Sequence, residues 1–237
     1  MGSCAVTEVA PQVDEGALAQ AASAVPAETN RERVSRRQVD KFAERRAQLA
    51  DAALQTLAEL GYARTSLREI AQNTEFSHGV LHYYFADKQD LITHCVRQYE
   101  AACVTRYDEI VASASSAEEL KREFSAAMAQ TLRTDAPMHR LWYDLRNQSL
   151  FEKSFRADVL EIDQRREEMI WRVISRYASF AGAGAGAALS PGAAYAILDG
   201  LFQQALLHYL AGDHEAAEVL RANVVRVLDT LVVRSSA

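Results

Sequence analysis

The sequence predicts an all-α protein, with a three-helix domain near the N-terminus and a larger helical bundle after it. Proline and glycine are scarce, at 4 and 10 of 237 residues. Apolar residues recur at spacings of three and four along most of the chain. Hydroxyl or carboxylate side chains stand directly before several of these periodic segments, as helix N-caps do. No apolar run approaches the roughly 20 residues of a membrane span.

Residues 1–34 are predicted to be a flexible extension that ends in a basic arm. The first 30 residues contain no lysine or arginine and have no sustained apolar period. Basic side chains then cluster at Arg31, Arg33, Arg36, Arg37 and Lys41. Such an arm could contact the phosphates or minor groove of DNA, or it could be a solvated helix face. The sequence alone leaves both interpretations open.

The predicted second domain, residues 35–90, opens with a long helix that ends near Leu60. Its apolar stripe is formed by Phe42, Leu49, Ala53, Leu57 and Leu60. Gly61 follows as the helix-ending residue, because glycine readily takes the left-handed conformation found after helices.

Two short helices joined by a tight turn are predicted next, over residues 65–88. Ser66 and Glu69 have the spacing of a capping box, and Ser77 is the N-cap candidate of the second helix. Leu81 and Phe85 lie four residues apart and are expected to face inward. This is the pattern of a helix-turn-helix, whose second helix enters the DNA major groove. Two amphipathic helices of an ordinary bundle would give the same spacing.

The residues predicted to contact DNA have donor side chains or leave room for the duplex. Hydroxyl, imidazole and basic groups donate hydrogen bonds to phosphate oxygens, and an arginine can also read a guanine edge. A glycine lets the backbone approach closely. These residues are Thr65, Ser66, Arg68, Ser77, His78, Gly79, Val80, His82, Tyr83 and Lys88.

The segments AELGYARTSLREIA (58–71) and FSHGVLHYYFADKQDLI (76–92) resemble the DNA-binding domain of the TetR family of transcriptional regulators. The positions that fit the family pattern are Gly61, Tyr62, Thr65, Ile70, Ala71, Ser77, Gly79, Leu81, Tyr84, Phe85, Lys88 and Leu91. Thr74-Glu75 stands where the family usually has Ala-Gly, and His82 stands where it usually has a phosphate-gripping tyrosine. The resemblance implies a sequence-specific DNA-binding regulator, most often a repressor that a small-molecule effector releases.

Residues 91–237 are predicted to form a helical domain for effector binding and dimerisation. Asp87, Ser116 and Ser190 are expected to cap helices, and Pro137 and Pro191 lie where proline is tolerated in a first helical turn. The predicted helices span about 87–112, 116–132, 137–150, 154–180, 191–211 and 215–233. A Gly/Ala-rich break, AGAGAGAALSPG, separates the fourth from the fifth.

Aromatic side chains are interspersed with aliphatic ones in the middle of this domain. Because the resemblance implies an effector site, a mostly apolar pocket with a few polar groups is expected there. Its predicted residues are Tyr107, Trp142, Tyr143, Arg146, Trp171 and Phe202. Ordinary core packing is the competing interpretation for each, and His94, His139 and His208 are interpreted as structural histidines.

The last two helices carry apolar residues around more of their circumference than one buried face requires. In the family these helices form a four-helix dimer interface, so the resemblance implies a homodimer. A monomer in which both helices are internal is the alternative. A two-fold dimer would present two recognition helices about 34–36 Å apart, which predicts a roughly palindromic operator on double-stranded DNA.

The three cysteines, Cys4, Cys95 and Cys103, are too few and too scattered for a disulfide framework. They predict a reducing cytoplasm, with Cys95 and Cys103 as small core residues. No histidine lies at ligand spacing from two of them, so no metal or cofactor is predicted. The chain also lacks HExxH, a nucleophile elbow and a strand-linked phosphate loop, which argues against an enzyme.

The net charge of −6 is distributed unevenly. Residues 1–30 carry −4, residues 31–94 carry +1 and residues 95–237 carry −3. DNA binding would therefore depend on the local basic cluster and on helix N-termini rather than on overall charge. The rival interpretations are an all-helical enzyme and a DNA-binding architectural or partner-controlled protein without an effector.

Overall fold

The computed structural model describes residues 30–154, 156–180, 186–187 and 189–233. The chain divides into two units, residues 1–41 and 42–237. Residues 1–29 of the predicted extension (1–34) lie outside the described residues, and residues 30–41, which include the whole predicted basic arm, are helical.

The described residues form ten helices and one pair of two-residue strands. The helices are α1 (Asn30–Arg64), α2 (Leu67–Gln72), α3 (His78–Tyr84), α4 (Lys88–Cys103), α5 (Asp108–Ser113), α6 (Ala117–Thr134), α7 (Ala136–Gln148), α8 (Arg156–Ser179), α9 (Pro191–Leu210) and α10 (Ala216–Leu231). The strands β1 (Gly186–Ala187) and β2 (Val232–Val233) pair antiparallel, with Gly186 opposite Val233. The all-α prediction is confirmed, because the strands are two residues each and all the other described elements are helices.

Both predicted N-caps of the helix-turn-helix are present. Ser66 Oγ accepts a hydrogen bond from Glu69 N at 3.2 Å, and Ser77 Oγ accepts one from Val80 N at 3.3 Å. The turn at Thr74-Glu75 needs no left-handed residue, since every positive φ among the described residues belongs to a glycine. The departure from Ala-Gly therefore brings no backbone strain.

Gly61 interrupts helical geometry inside the range of α1, with φ 76° and ψ 171°. The prediction that the long helix breaks there is confirmed. Residues with a β-carbon rarely adopt this conformation, so glycine suits the corner between α1 and the helix-turn-helix.

The predicted single helix over 87–112 is wrong, because α4 ends at Cys103 and α5 begins at Asp108. Two bonds of the i to i+3 type close the intervening turn, from Arg106 N to Cys103 O at 3.1 Å and from Asp108 N to Thr105 O at 3.0 Å. The turn lets the Arg106 guanidinium reach Asp135 Oδ2 at 2.6 Å. The interruption is thus stabilised by a distant partner that local periodicity does not reveal.

The other helices of residues 91–237 begin close to the predicted positions. Ser116 Oγ accepts from Glu119 N, and Ser190 Oγ accepts from Ala193 N ahead of Pro191. The α7 helix ends at Gln148, so Leu150 lies beyond it and is exposed.

A contiguous core runs through the described helices. In the N-terminal part it includes Leu81 and Phe85, which face inward as predicted. Cys95 and Cys103 are free thiols in buried positions, which confirms their assignment as core residues. None of the described helices is long and apolar enough to cross a membrane.

Candidate DNA-binding surface and effector cavity

The first turns of α3 present an exposed set of hydrogen-bonding groups. Leu81 and Phe85 are buried, whereas His78, Gly79 and His82 are exposed. Ser66 and Ser77, also exposed, use their oxygens to accept cap bonds, so each hydroxyl hydrogen is left for an outside acceptor. Arg68 on α2 is exposed, and Val80 is half-buried.

Tyr83 is the most exposed aromatic residue of this surface, at 72%. Its ring lies 4.9 Å from the Tyr84 ring and 6.2 Å from the Phe42 ring, in edge-to-face geometry. The rings of His78 and His82 lie 4.4 Å apart, one helical turn from each other. These ring contacts orient the aromatic and imidazole groups of α3, and His78, His82 and Tyr83 are exposed.

Two predicted DNA-contacting residues are engaged inside the protein. Thr65 requires a correction, because it is only 3% exposed and its Oγ1 donates to Gly61 O at 2.6 Å. Lys88 is half-buried; its Nζ donates to Tyr62 O at 2.8 Å and lies 4.1 Å from the centroid of the Tyr62 ring. Both residues thus stabilise the helix-turn-helix through contacts within the protein.

A cavity of about 50 Å³ lies in the helical domain. The predicted residues Tyr107, Tyr143 and Phe202 line it. The other lining residues are Cys103, Arg106, Met128, His139, Arg166, Met169, Ile170, Tyr195, Leu198 and Asp199.

The other three predicted pocket residues do not line the cavity. Trp142 is fully buried, with the Arg166 guanidinium 4.5 Å from its ring centroid. Arg146 forms ion pairs with Asp199 at 2.5 Å and with Asp163 at 3.3 Å. Trp171 is half-buried and packs against the core. These three assignments are corrected, because residue type alone does not reveal which face of a helix lines a cavity.

The charged residues in the cavity wall are paired across helices. Arg166 and Glu100 form a buried two-point ion pair, in which Arg166 Nε donates to Glu100 Oε2 at 2.8 Å. Tyr143 OH donates to Asp199 Oδ1 at 2.8 Å, and burial, reinforced by Asp199, raises the pKa of Tyr143. These pairings keep charged groups in a largely apolar interior.

His139, interpreted from the sequence as a structural histidine, lies in the cavity wall. Its ring centroid is 4.5 Å from that of Phe202, and its Nε2 is 3.5 Å from Arg106 Nη1. Burial lowers the pKa of His139 well below 6.5, and the charges of Arg166 and Arg106 lower it further. The spacing of four residues between His139 and Tyr143 is the sequence signal that places both side chains on the same face of α7, which lines the cavity.

Helix α7 contacts both the cavity and the end of α1. His139 and Tyr143 line the cavity, and each is followed by a residue that bonds α1. Arg140 Nη2 donates to the carbonyls of Ala58 and Glu59, the latter at 3.0 Å. Asp144 Oδ2 accepts from Tyr62 N at 2.7 Å. The helix is thus in direct contact with the element that leads into the helix-turn-helix.

The α9 and α10 helices keep an apolar face exposed in the single chain. The exposed apolar side chains include Leu207 at 70% and Val219 at 56%. A groove of about 380 Å³ runs between the two helices, with Leu201, Ala216 and Val219 in its walls. The alternative in which both helices are fully internal therefore does not describe this chain.

Comparison with known proteins also identifies a helix-turn-helix region in the N-terminal half of the chain. Residues 49–95 match the family described as bacterial regulatory proteins, tetR family. An HTH-type transcriptional regulator BetI from Burkholderia mallei is 34% identical over 117 residues, which are 47% of this chain and 58% of that protein. The chain thus matches less than two thirds of the length of such curated relatives.

Two solved structures share the fold over most of the chain. The regulator FadR from Bacillus subtilis, in complex with stearoyl-CoA, has a TM-score of 0.62 at 18% identity and covers 77% of this chain and 96% of its own. A putative transcriptional regulator from Saccharomonospora viridis, in complex with choline, has a TM-score of 0.62 at 18% identity. It covers 81% of this chain and 100% of its own. The match to the tetR family covers residues 49–95, and the two solved structures extend the likeness in fold over most of the chain. In the part that the structure describes, no group of three or more His, Cys, Asp or Glu residues could hold a metal ion.

Proposed function

We propose that this protein is a sequence-specific DNA-binding transcriptional regulator, and that it acts as a repressor which a small-molecule effector releases. The observation that carries the proposal is the exposed, donor-rich face of α3 above a buried anchor of Leu81 and Phe85. A recognition helix needs these two faces, one fixed in the core and one free for the major groove. The N-terminal match to the TetR family supports the same role.

The proposed active form is a homodimer that pairs through α9 and α10. The exposed apolar face of these helices supports pairing, because removing it from water is favourable. A two-fold dimer presents α3 twice, about one helical turn of DNA apart, to a roughly palindromic operator. Because its proposed binding partner is chromosomal DNA, we propose that the protein acts in the cytoplasm.

The proposed division of labour assigns residues 35–90 to DNA binding and residues 91–237 to effector binding and dimerisation. We keep residues 1–34 as a proposed extension with a basic arm. The bonds from α7 to Tyr62 and Glu59 support communication, because a shift of α7 at the cavity changes its contacts with α1. An effector that prefers one arrangement by about 1–3 kcal/mol changes DNA affinity about 5–150-fold.

The test of DNA binding starts from selection of duplexes out of a random library, followed by fluorescence anisotropy on the selected sites. We expect binding that is tighter to selected duplexes than to scrambled ones and that weakens steeply as salt rises. A matched variant, Tyr83→Ala, removes an exposed group of α3 without disturbing the core. Equal affinity for selected and scrambled duplexes would contradict the proposal.

A second candidate is a DNA-binding regulator controlled by a protein partner, without a small-molecule effector. The volume of the cavity favours it, since about 50 Å³ is far below the roughly 300–1,000 Å³ of sites for drug-sized ligands. The complexes of the two structural neighbours, with stearoyl-CoA and with choline, support the small-molecule alternative instead. A compound that both binds the purified protein and lowers its affinity for DNA would favour control by a small-molecule effector over control by a protein partner.

A further inference from the structure

His139 leaves one ring nitrogen without a partner in the cavity wall. The residue is 6% exposed, and its Nδ1 is buried with no hydrogen-bond partner among the described residues. The other nitrogen, Nε2, faces Arg106 Nη1 at 3.5 Å. Arginine only donates, so Nε2 is the acceptor of that contact. In a neutral imidazole the proton must then be on Nδ1, which makes Nδ1–H an unused donor.

A second unused donor lies one turn further along α7. Trp142 is 1% exposed, and its Nε1, which can only donate, has no partner within the described chain. Residues 139 and 142 are three apart and therefore share a face of the helix. A buried donor without an acceptor is destabilising. Of these two donors only that of His139 belongs to a cavity-lining residue, so the His139 Nδ1–H is the one that an acceptor bound in the cavity would satisfy.

The charges near this wall favour an anionic acceptor. Burial lowers the pKa of His139, and the guanidiniums of Arg166 and Arg106 lower it further; both line the cavity, and Arg106 Nη1 lies 3.5 Å from His139 Nε2. Each guanidinium also has a carboxylate partner, Glu100 for Arg166 and Asp135 for Arg106. Arg166 also lies over the Trp142 ring. Asp199, the acidic residue of the cavity lining, already accepts from Tyr143 and Arg146. Its carboxylate is thus already engaged by these two partners.

We propose that the α7 wall of the cavity is a subsite for the carboxylate of a compact organic acid, held by the Nδ1–H of His139 in the field of Arg106 and Arg166. The inference rests on the proposed function, because it names the chemical class of the effector. The remaining lining is mainly apolar, with Ile170, Leu198 and Phe202 to contact the body of the acid. A cationic ligand is disfavoured here, since two guanidiniums face the same space.

The cavity must enlarge to take such a ligand, and its lining contains the residues for this. Met128 and Met169 lie in the wall. Methionine is unbranched and has three rotatable bonds, so it changes shape at little cost. The acid therefore enters by displacing methionine side chains, and it carries a small apolar group rather than a long chain.

The test is isothermal titration of the full chain with three probes of similar size: benzoate, benzyl alcohol and benzyltrimethylammonium. We expect benzoate to bind at least ten-fold tighter than benzyl alcohol, and the cation not to bind. His139→Phe should weaken benzoate at least ten-fold, whereas His139→Asn, which can again offer an N–H, should recover part of the affinity. His94→Phe is the matched control, because His94 also has a buried unpartnered nitrogen but does not line the cavity.

The outcomes separate the ligand class from the function. Benzoate binding that is no tighter than that of benzyl alcohol or the cation, no benzoate binding at all, or unchanged benzoate affinity in His139→Phe, overturns the subsite. If His139→Phe does not fold, His139→Leu takes its place. DNA binding of the same preparation is measured separately by anisotropy. Failure of benzoate with intact DNA binding removes only the acid subsite, whereas loss of DNA selectivity removes the proposed function.

Discussion

Tyr62 donates its backbone N–H to Asp144 Oδ2 at 2.7 Å, joining the end of α1 to the middle of α7. The same tyrosine donates its hydroxyl to Glu152 Oε2 at 2.9 Å and accepts from Lys88 Nζ at 2.8 Å. Burial and the hydrogen bond to Glu152 raise the pKa of Tyr62 to about 12. One residue of the helix-turn-helix corner is therefore tied both to the first turn of α4 and to the domain that contains the cavity.

Asp144→Ala is expected to lower the free energy of unfolding by about 1.5–3 kcal/mol, because it removes a charge-assisted acceptor from Tyr62 N. Asp144→Asn keeps an acceptor oxygen and should cost less. Urea denaturation followed by circular dichroism measures both variants. Equal losses for alanine and asparagine would show that the hydrogen bond itself is not what stabilises this junction.

Tyr83→Ala and His82→Ala are each expected to weaken DNA binding about ten-fold, since each removes a donor from the exposed face of α3. Stability should change little because both side chains are exposed. Phe151→Ala is the control, as Phe151 is 83% exposed but lies between α7 and α8. Anisotropy with a selected duplex reports the change; unaltered affinity in both α3 variants would refute this assignment of the surface.

Glu100→Gln is expected to destabilise the protein by about 3–5 kcal/mol, because it leaves the buried Arg166 guanidinium without its counter-charge. The double variant Glu100→Leu with Arg166→Met removes both charges and should recover much of that loss. Thermal and urea unfolding compare the three proteins. A double variant as unstable as Glu100→Gln would indicate that packing of the arginine, rather than its charge, dominates the effect.

The stability of the protein is expected to fall as the pH drops below about 6.5. The folded pKa of His139 is lowered, so the unfolded state binds more protons, and the free energy of unfolding rises with pH in this range. The stabilisation is complete above the unfolded pKa and is lost as pH falls toward the folded one. The slope attributable to one histidine is at most about 1.4 kcal/mol per pH unit.

His139→Phe should remove this contribution, while His94, whose pKa is also lowered by burial, keeps a residual slope. Urea unfolding at pH 5.0, 6.0 and 7.5 gives the comparison. An identical pH slope in wild type and His139→Phe would contradict the buried neutral imidazole.

Leu207→Lys and Val219→Lys are expected to shift the protein from dimer to monomer, because each places a charge on the proposed interface. Leu160→Lys is the control, since Leu160 is similarly exposed but lies on α8. Sedimentation velocity measures the oligomeric state. A wild-type protein that sediments as a monomer at micromolar concentration would remove the dimer from the proposal.

Local sequence signals predicted the helix-turn-helix well because its geometry is fixed by short-range contacts. Ser66, Ser77 and Asp87 cap helices through bonds to residues three positions away. Gly61 ends the helical stretch through its own backbone preference. Thr65 shows the limit of this reasoning. A hydroxyl near a helix start was predicted to be a surface donor, but Thr65 is buried and its hydroxyl donates to Gly61 O.

The cavity was predicted only in part, because its walls depend on contacts between residues distant in sequence. Arg166 and Glu100 are 66 positions apart, and Arg106 reaches Asp135 across 29. No periodic pattern pairs such residues. The choice between Tyr143, which lines the cavity, and Trp142, which is buried beside it, follows from the rotation of α7 within the bundle.

The central claim is that two copies of α3 read one duplex, and half-site spacing tests it most directly. The measurement is the anisotropy of a selected operator and of the same operator with five base pairs inserted between its half-sites. The insertion turns one half-site to the opposite side of the helix, so affinity should fall at least a hundred-fold, toward that of a scrambled duplex. Unchanged affinity for the expanded operator would contradict the account.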